Sequence, residues 1–247
     1  MTQSKNAVLI IGAVSEIGQA TARAFAARGH RILLAARRIE RLSDIASDLR
    51  LRHGAVVTLH EFDALDFVSH AQFIDALPIL PDVAICVVGI LDDQAACNTD
   101  PLRAAAVLRA NFEGPALILN ALANRFERRG HGCLIGVSSV AGQRGRASNY
   151  VYGSAKAGFT TFLSGLRNRL SRCSVRVVTV LPGFVDTRMT VGMSLPTRLT
   201  AQPDEVGVAI FAAYRSNCNV IYVRPIWRWI MALICMIPET IFKRLKL

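Results

Sequence analysis

With 247 residues, no internal repeat and no Pro/Ser-rich linker, the chain is predicted to form one domain with a large core. Its six cysteines include no C-x-x-C pair, which argues against a zinc site or a disulfide framework; no metal is expected, and the thiols are predicted to be reduced and mostly in the core. The formal charge of +11 suits a nucleic acid or an anionic membrane, and the lack of nucleic-acid motifs or aromatic-basic interleaving excludes the first.

The first predicted unit is a strand, a glycine turn and a helix. An apolar run at residues 7–11 precedes the turn G-A-V-S-E-I-G, and a helical pattern then ends at Gly29. Gly12 permits the tight turn and Gly18 lets the helix pack closely, so that the helix N-terminus offers N–H groups to a pyrophosphate. An ordinary βα turn is the alternative. The apolar run is too short for a signal peptide, so we expect a cytoplasmic protein.

A second strand–helix–strand pattern covers residues 31–36, 39–50 and 56–61, as a parallel nucleotide-binding sheet requires. Arg37 and Arg38 follow its first strand, where no carboxylate is available to accept a ribose 2′-hydroxyl. Guanidinium groups form bidentate hydrogen bonds with phosphate, so these residues favour NADP(H) as the cofactor. NAD(H) remains a possible cofactor. The alternative is that the arginines only begin a solvated helix.

Three further residues indicate carbonyl–alcohol chemistry. Tyr152 and Lys156 lie four positions apart in a helix predicted for residues 149–171, so the ammonium lies beside the phenol. A neighbouring cation stabilises a phenolate and brings its pKa from about 10 toward neutral pH. Ser139 would hydrogen-bond a substrate oxygen while Tyr152 moves the proton. The alternative is a buried tyrosine beside a surface lysine; Tyr150, a second phenol, has no such lysine partner.

Together these motifs resemble the short-chain dehydrogenase/reductase family over nearly the whole chain. In the family motif T-G-x-x-x-G-x-G, Ile11 here replaces the threonine and Glu16 the middle glycine, while the family's Asn-Asn-Ala-Gly keeps only its glycine, Gly89. The resemblance implies an α/β fold with a doubly wound, Rossmann-like parallel sheet, three layers and a single domain. Glu16 is expected to weaken pyrophosphate binding unless it points into solvent or caps the helix.

The resemblance also implies residue roles. Tyr152 would exchange the proton and Ser139 would polarise the substrate oxygen. Lys156 would lower the tyrosine pKa and hold the nicotinamide ribose, and Asn111 would support a water relay behind it. The expected cofactor contacts are Gly12, Ser15, Ile17, Gly18, Arg37, Arg38, Asp63, Gly89, Tyr152, Lys156, Pro182, Gly183 and Thr187.

An apolar and basic segment, residues 224–247, follows the predicted dehydrogenase domain of residues 1–223. Its apolar run, 229–237, is shorter than the about 20 residues that a membrane-spanning helix needs. Trp227 and Trp229 suit the headgroup level, and the basic side chains suit anionic lipid. Pocket lid and dimer surface are the alternatives, and a homo-oligomer is expected. The basic residues are Arg224, Arg228, Lys243, Arg244 and Lys246.

The tail and the glycine turn also resemble a narrower branch, the decaprenylphosphoryl-2-keto-ribose reductases. This implies NAD(P)H-dependent reduction of a lipid-linked keto-sugar, with a flavin-dependent oxidase as the partner that makes the ketone. Arg144 and Arg146 would meet the substrate phosphate, or else they are exposed loop charges. The alternatives are a soluble reductase of a small ketone or acyl substrate and a nucleotide-binding scaffold without turnover.

Overall fold

The computed structural model describes residues 6–245. Its strands are β1 (Ala7–Ile11), β2 (Arg31–Ala36), β3 (Val57–Glu61), β4 (Val83–Cys86), β5 (His131–Val137), β6 (Ser174–Pro182), β7 (Phe184–Val185), β8 (Thr200–Ala201) and β9 (Val220–Val223). Its α-helices are α1 (Glu16–Ala26), α2 (Ser43–His53), α3 (His70–Asp75), α4 (Gln94–Thr99), α5 (Pro101–Leu108), α6 (Gly114–Arg129), α7 (Tyr150–Leu170), α8 (Pro203–Arg215), α9 (Ile226–Met236) and α10 (Glu239–Phe242). Seven strands form one parallel sheet in the order β3-β2-β1-β4-β5-β6-β9.

The sheet is covered by helices on both faces, which confirms the predicted three-layer, doubly wound α/β fold. Successive side chains of a strand point to opposite faces, so an apolar strand such as β1 needs partners on each side. Val8 and Ile10 pack into one buried cluster with α1, α2 and α8. Leu9 and Ile11 pack into another with α3, α6 and α7. Both clusters extend across the sheet and form the core.

The predicted element boundaries are mostly correct. The helix predicted for residues 39–50 begins as a 3-10 turn, Ile39–Leu42, before α2 starts at Ser43. The strand predicted from residue 56 starts at Val57, and the helix predicted for residues 149–171 is α7. No motif predicted the short β7–β8 pair.

The order of the strands in the sheet determines where the candidate site lies. Because the order reverses between β1 and β4, the loops that follow these neighbouring strands run away from each other and leave a crevice at their carboxyl ends. Gly12 follows β1, Gly89 lies shortly after β4, and Ser139 lies shortly after β5. Gly183 immediately follows β6. Residues from four strands therefore meet at one edge of the sheet.

The C-terminal residues pack against the rest of the chain. Strand β9 forms the sheet edge beside β6, and α9 covers this region through a small apolar cluster. Among the residues that the structure describes, no helix is long and apolar enough to span a bilayer.

The cysteines are free thiols with different surroundings. Cys86, Cys97 and Cys133 are buried, as predicted. Burial raises the pKa values of Cys86 and Cys133 to about 11, which makes both thiols unreactive at neutral pH. The prediction of core thiols is wrong for Cys218 and Cys235, which are exposed.

Candidate active site

The turn after β1 forms a close contact between strand and helix. Gly12 has a φ of 87°, a region that glycine adopts without steric cost. A Cβ on Gly18 would lie 2.8 Å from the Gly12 carbonyl oxygen, so a larger residue would displace α1. Ser15 caps the helix, because its Oγ accepts from the Gly18 N–H at 3.1 Å and donates to the Gly12 carbonyl at 2.8 Å. The Ser15 hydroxyl thus takes the Gly18 N–H at the N-terminus of α1, the end of a helix that favours an anion.

A groove of about 630 Å³ runs from this turn across the ends of the neighbouring strands. Arg37 and Arg38 line it after β2, together with Arg41, which the sequence analysis missed. Within residues 6–245 these three guanidinium groups make no hydrogen bond or ion pair. Arg41 lies three positions after Arg38, which caps the 3-10 turn, and residues at this spacing lie on the same side of such a turn. This spacing could have predicted that Arg41 lies near Arg38. Asp63 also lines the groove, and its Oδ1 accepts from the Leu65 N–H at 2.9 Å.

A second cavity, of about 160 Å³, adjoins the groove and contains the four predicted catalytic side chains. Gly89 and Met189 line both spaces, so a ligand in the groove would reach the cavity. Ile17, Pro182, Gly183 and Thr187, all predicted to contact the cofactor, also line the cavity. One wall of the cavity is apolar, and no sequence motif indicated it: it is formed by Phe184, Met189, Met193 and Trp227.

Ser139 and Tyr152 form the polar centre of this cavity. Ser139 caps a short 3-10 turn after β5, and its Oγ accepts from the Ala141 N–H at 3.1 Å. Burial raises the pKa of Tyr152 to about 12, and a side-chain hydrogen bond with Ser139 acts in the opposite direction. The phenol is therefore protonated at neutral pH. This differs from the expectation that Lys156 brings the tyrosine pKa toward neutral.

Lys156 lies close to the Tyr152 ring without a hydrogen bond to its hydroxyl. Its Nζ lies 5.7 Å from the centroid of the Tyr152 ring and donates to the Val137 carbonyl at 3.2 Å. Burial lowers the pKa of Lys156 to about 8, and the nearby Cys86 has a smaller effect in the upward direction. The ammonium is thus on the predicted helix face but does not donate to the phenol. Near pH 8 it exchanges between charged and neutral forms.

Asn111 lies behind this lysine, in a π-helical turn between α5 and α6. Such turns are frequent at functional sites. Its Nδ2 donates to the carbonyls of Ile90 and Val107, at 2.7 and 2.9 Å, whereas its buried Oδ1 has no partner. A buried acceptor without a donor costs free energy, which a water or ligand donor would recover. A Cβ on Gly89 would lie 2.6 Å from this Oδ1 and 3.2 Å from Lys156 Nζ, so only glycine fits there.

Only one of the two predicted substrate arginines lines the cavity. Arg146 does so, and its Nε is buried without a hydrogen-bond partner. Burial lowers its pKa. Arg144 instead pairs with Glu239 at 2.6 Å and lies 4.2 Å from the centroid of the Phe242 ring. Arg144 therefore does not line the cavity in this structure, because its side chain binds the C-terminal segment, and its contact with a substrate phosphate stays a prediction.

The C-terminal segment also differs from the prediction. Trp227 does not lie at the surface: it is 3% exposed, lines the cavity and donates from Nε1 to the Leu199 carbonyl at 3.1 Å. Arg224 is held by Glu205 at 3.0 Å rather than being free for lipid. Trp229 is 68% exposed, as predicted. Lys246, one of the basic residues expected at a membrane, lies outside the described residues.

Comparisons with known proteins agree with this geometry. The family model described as short chain dehydrogenase matches residues 6–196. A protein of Mycobacterium tuberculosis (strain H37Rv), described as an uncharacterized oxidoreductase, is 37% identical over 243 residues, 96% of each chain. A Streptomyces coelicolor protein with the same description is 36% identical over 242 residues, 96% of this chain and 95% of that one.

A solved structure gives the same fold. A short-chain dehydrogenase from Sphingobium yanoikuyae, in complex with NADPH, has a TM-score of 0.81 and 25% sequence identity, covering 95% of this chain and 97% of that chain. The family match, the two relatives and the shared fold lead to one assignment. The chain belongs to the short-chain dehydrogenase family of oxidoreductases.

Proposed function

We propose that this protein is an NADP(H)-dependent ketoreductase whose substrate carries an anionic group, and specifically a keto-pentose linked to a polyprenyl phosphate. The observation that carries this proposal is Arg146. Its buried, unpaired Nε lines the same cavity as Ser139 and Tyr152. A buried Nε–H without an acceptor costs free energy in a largely apolar cavity, and phosphate is a group that a guanidinium pairs with strongly.

The residues of the groove fit a bound NADP(H). The Gly12–Gly18 turn and the N-terminus of α1 suit a pyrophosphate, and the three unpaired arginines at the end of β2 suit a 2′-phosphate. The unpaired Oδ1 of Asn111 and the ammonium of Lys156 lie where the groove meets the cavity. The related protein from Sphingobium yanoikuyae was solved with NADPH, which supports the same cofactor here.

The side chains of the cavity support the reductive direction. When bound, the reduced nicotinamide supplies a hydride to the keto carbon. Tyr152 is protonated at neutral pH, so it is available as the acid that donates a proton to the substrate oxygen. Ser139 orients that oxygen through its hydroxyl. Lys156 supplies a cation behind the phenol, and Asn111 offers its free acceptor to a water that returns the proton to this pair.

The lining of the cavity supports a substrate with both polar and apolar parts. Asn149 contributes a buried Oδ1 without a partner, which suits a sugar hydroxyl. Phe184, Met189, Met193 and Trp227 form an apolar wall that suits the first units of a polyprenyl chain. A flavin-dependent oxidase would supply the ketone, and the reaction would take place in the cytoplasm or on the inner membrane face.

The test compares two ketones in an NADPH oxidation assay: a 2-keto-pentose on a short polyprenyl phosphate, and the same keto-pentose as a neutral methyl glycoside. We expect wild-type kcat/KM to favour the phosphorylated ketone by at least about tenfold, the value of one charged hydrogen bond. Arg146→Gln should remove this preference, mainly through KM. Arg128→Gln, on the exposed side of α6, is the charge-matched control and should change nothing.

One observation favours a second candidate, a soluble reductase of small ketone or acyl substrates. The cavity has a volume of only about 160 Å³ and is mostly lined by apolar groups. If the neutral ketone is reduced as efficiently as the phosphorylated one, and Arg146→Gln has no effect on either, this second candidate replaces the first.

A further inference from the structure

Helix α9 has two apolar faces with different surroundings. The inner face packs Trp227 and Met231 against Leu181 and Val140, and both side chains are at most 3% exposed. A Cβ on Gly183 would lie 1.9 Å from Trp227 Nε1, so the helix lies directly on the chain that leaves β6. Ile230 and Ile234 are partly buried against the same cluster, so the inner face of α9 packs without Ile226, Trp229, Leu233 and Met236.

The outer face of α9 carries four large apolar side chains that are more than half exposed. Ile226, Trp229, Leu233 and Met236 are 51%, 68%, 67% and 78% exposed. Their spacing of three, four and three residues puts them on a single stripe along the helix. Contiguous exposed apolar side chains on a helix mark an interaction surface, whereas single exposed ones are normal.

The charges around this stripe are basic. Arg228, Lys243 and Arg244 are exposed within the described part of the segment, and Arg228 lies 5.8 Å from the Trp229 ring centroid. Glu239 is the one acidic residue between positions 224 and 247. Its carboxylate is paired with Arg144 and so is not available to neutralise these cations.

We propose that the outer face of α9, defined by Ile226, Trp229, Leu233 and Met236, docks the protein on an anionic phospholipid bilayer at interfacial depth. An exposed tryptophan, an apolar stripe and flanking cations are the three elements that interfacial helices combine. The helix is 11 residues long, about 16 Å at 1.5 Å per residue, which suits a position in the interface and not across the core.

A second copy of the chain is a poorer occupant of this face. In a two-fold contact the same patch meets itself, so the basic residues of the two patches, Arg228, Lys243 and Arg244, would face one another. Like charges opposed across an interface are unfavourable, and no side-chain carboxylate within residues 224–245 is free to separate them. Anionic headgroups neutralise the same cations.

The docking stands on surface features alone, whereas its use in presenting a lipid-linked ketone rests on the proposed function. In the latter case α9 would be both a wall of the catalytic cavity, through Trp227, and the contact with the membrane that holds the substrate. The two claims fail separately, because vesicle binding requires no substrate and turnover of a short-chain substrate requires no vesicle.

The test measures binding of the full-length protein to phosphatidylcholine vesicles with and without phosphatidylglycerol. We expect binding to the anionic vesicles only, weakening with salt by about fivefold for each basic residue that contacts the surface. The chain has two tryptophans, and Trp227 is buried. A blue shift of fluorescence on binding should therefore come from Trp229 and be absent in Trp229→Phe.

The variant that tests the stripe is Trp229→Ser/Leu233→Ser/Met236→Ser, which should bind at least about tenfold less well. Its matched control, Leu51→Ser/Val68→Ser/Leu102→Ser, removes three exposed apolar side chains outside α9 and should bind like wild type. Circular dichroism and urea unfolding confirm that both are folded. Wild type that stays unbound at low salt, or a stripe variant that binds as wild type does, overturns the proposal. A lipid-free dimer that the stripe variant converts to monomer identifies a second copy as the occupant instead.

Discussion

Glu16 and Arg188, 172 positions apart in the sequence, form an ion pair beside the groove: Arg188 Nε donates to Glu16 Oε1 at 2.6 Å, and the Arg188 backbone N–H donates to the same oxygen at 3.3 Å. The carboxylate that was expected to weaken pyrophosphate binding is thus paired. Burial acts to raise the pKa of Glu16, but hydrogen bonds from the backbone and Arg188 outweigh it and lower the pKa. The pair connects the start of α1 to the chain after β7.

Arg188→Gln should weaken NADPH binding, because it removes the guanidinium that neutralises the Glu16 carboxylate beside the groove. The arginine side chain is 62% exposed, so solvent screens the interaction and we expect a loss of about fivefold. Fluorescence titration measures it. The double variant Glu16→Gln/Arg188→Gln removes the negative charge and should bind nearly as well as wild type. An equal loss in the single and double variants would show that Arg188 acts through direct contact with the cofactor instead.

Tyr152→Phe should reduce kcat by about a hundredfold to ten-thousandfold, because it removes only the hydroxyl that donates the proton. NADPH affinity should remain within about twofold, since the ring and its packing are retained. The matched control is Tyr150→Phe, which loses an exposed hydroxyl that donates to Asn98 at 2.7 Å. Steady-state kinetics and cofactor titration distinguish the two. Retained turnover in Tyr152→Phe would remove this tyrosine from the mechanism.

Lys156 should make the ligand-free protein more stable as the pH rises from about 8 to 10.5. Its folded pKa is about 8 against an ordinary value of 10.5, so across this window the unfolded chain binds more protons than the folded one. The free energy of unfolding then increases by at most about 1.4 kcal/mol per pH unit. Above about pH 10 the raised pKa of Tyr152 acts in the opposite direction: it makes the free energy of unfolding fall as the pH rises. Urea unfolding at several pH values measures the slope.

Lys156→Met is the variant that assigns this pH dependence. In this variant the free energy of unfolding should no longer rise between pH 8 and 10.5. It should also be higher than in the wild type below pH 8, because the variant buries no charged group at this position. The substitution should also abolish turnover. A slope unchanged by the substitution would mean that another group titrates in this window.

Arg38→Gln should reduce a preference for NADPH over NADH by about tenfold, the value of a charged hydrogen bond to phosphate. Its effect on NADH affinity should be small, because NADH has no 2′-phosphate. Arg215→Gln, which removes an exposed charge at the end of α8 and outside both cavities, controls for net charge. Equal or tighter binding of NADH by the wild type would contradict the assignment of the arginines at the end of β2.

Local patterns predicted the fold and the polar centre of the site, because short-range spacing determines both. Strand-turn-helix spacing predicted the parallel sheet, and the i, i+4 spacing predicted the shared face of Tyr152 and Lys156. The pKa of Tyr152 could not be predicted in this way, because it depends on how deeply the folded chain buries the phenol. The same limit applies to Glu16, whose partner is distant in sequence.

Loop residues show most clearly what local sequence patterns do not predict. Arg144 and Arg146 are residues of the same type two positions apart, yet one binds the C-terminal segment and the other lines the cavity. A loop has no fixed periodicity, so the sequence does not indicate which way each side chain points. Trp227 and Trp229 are a similar pair within a helix: both were expected at the headgroup level, yet residues two apart lie on different faces of a helix, and only Trp229 is exposed.

These two tryptophans should therefore respond differently to the same substitution. Trp227→Ala removes a buried ring and its hydrogen bond to Leu199, so we expect a loss of about 3 kcal/mol in the free energy of unfolding and a higher KM, because the cavity loses a wall. Trp229→Ala removes an exposed ring and should change stability by less than about 0.5 kcal/mol, with KM for a water-soluble ketone unchanged. Urea unfolding and steady-state kinetics on the full-length protein measure both. Equal effects of the two substitutions would mean that α9 does not pack by its Trp227 face, and the assignment of its inner and outer faces would be wrong.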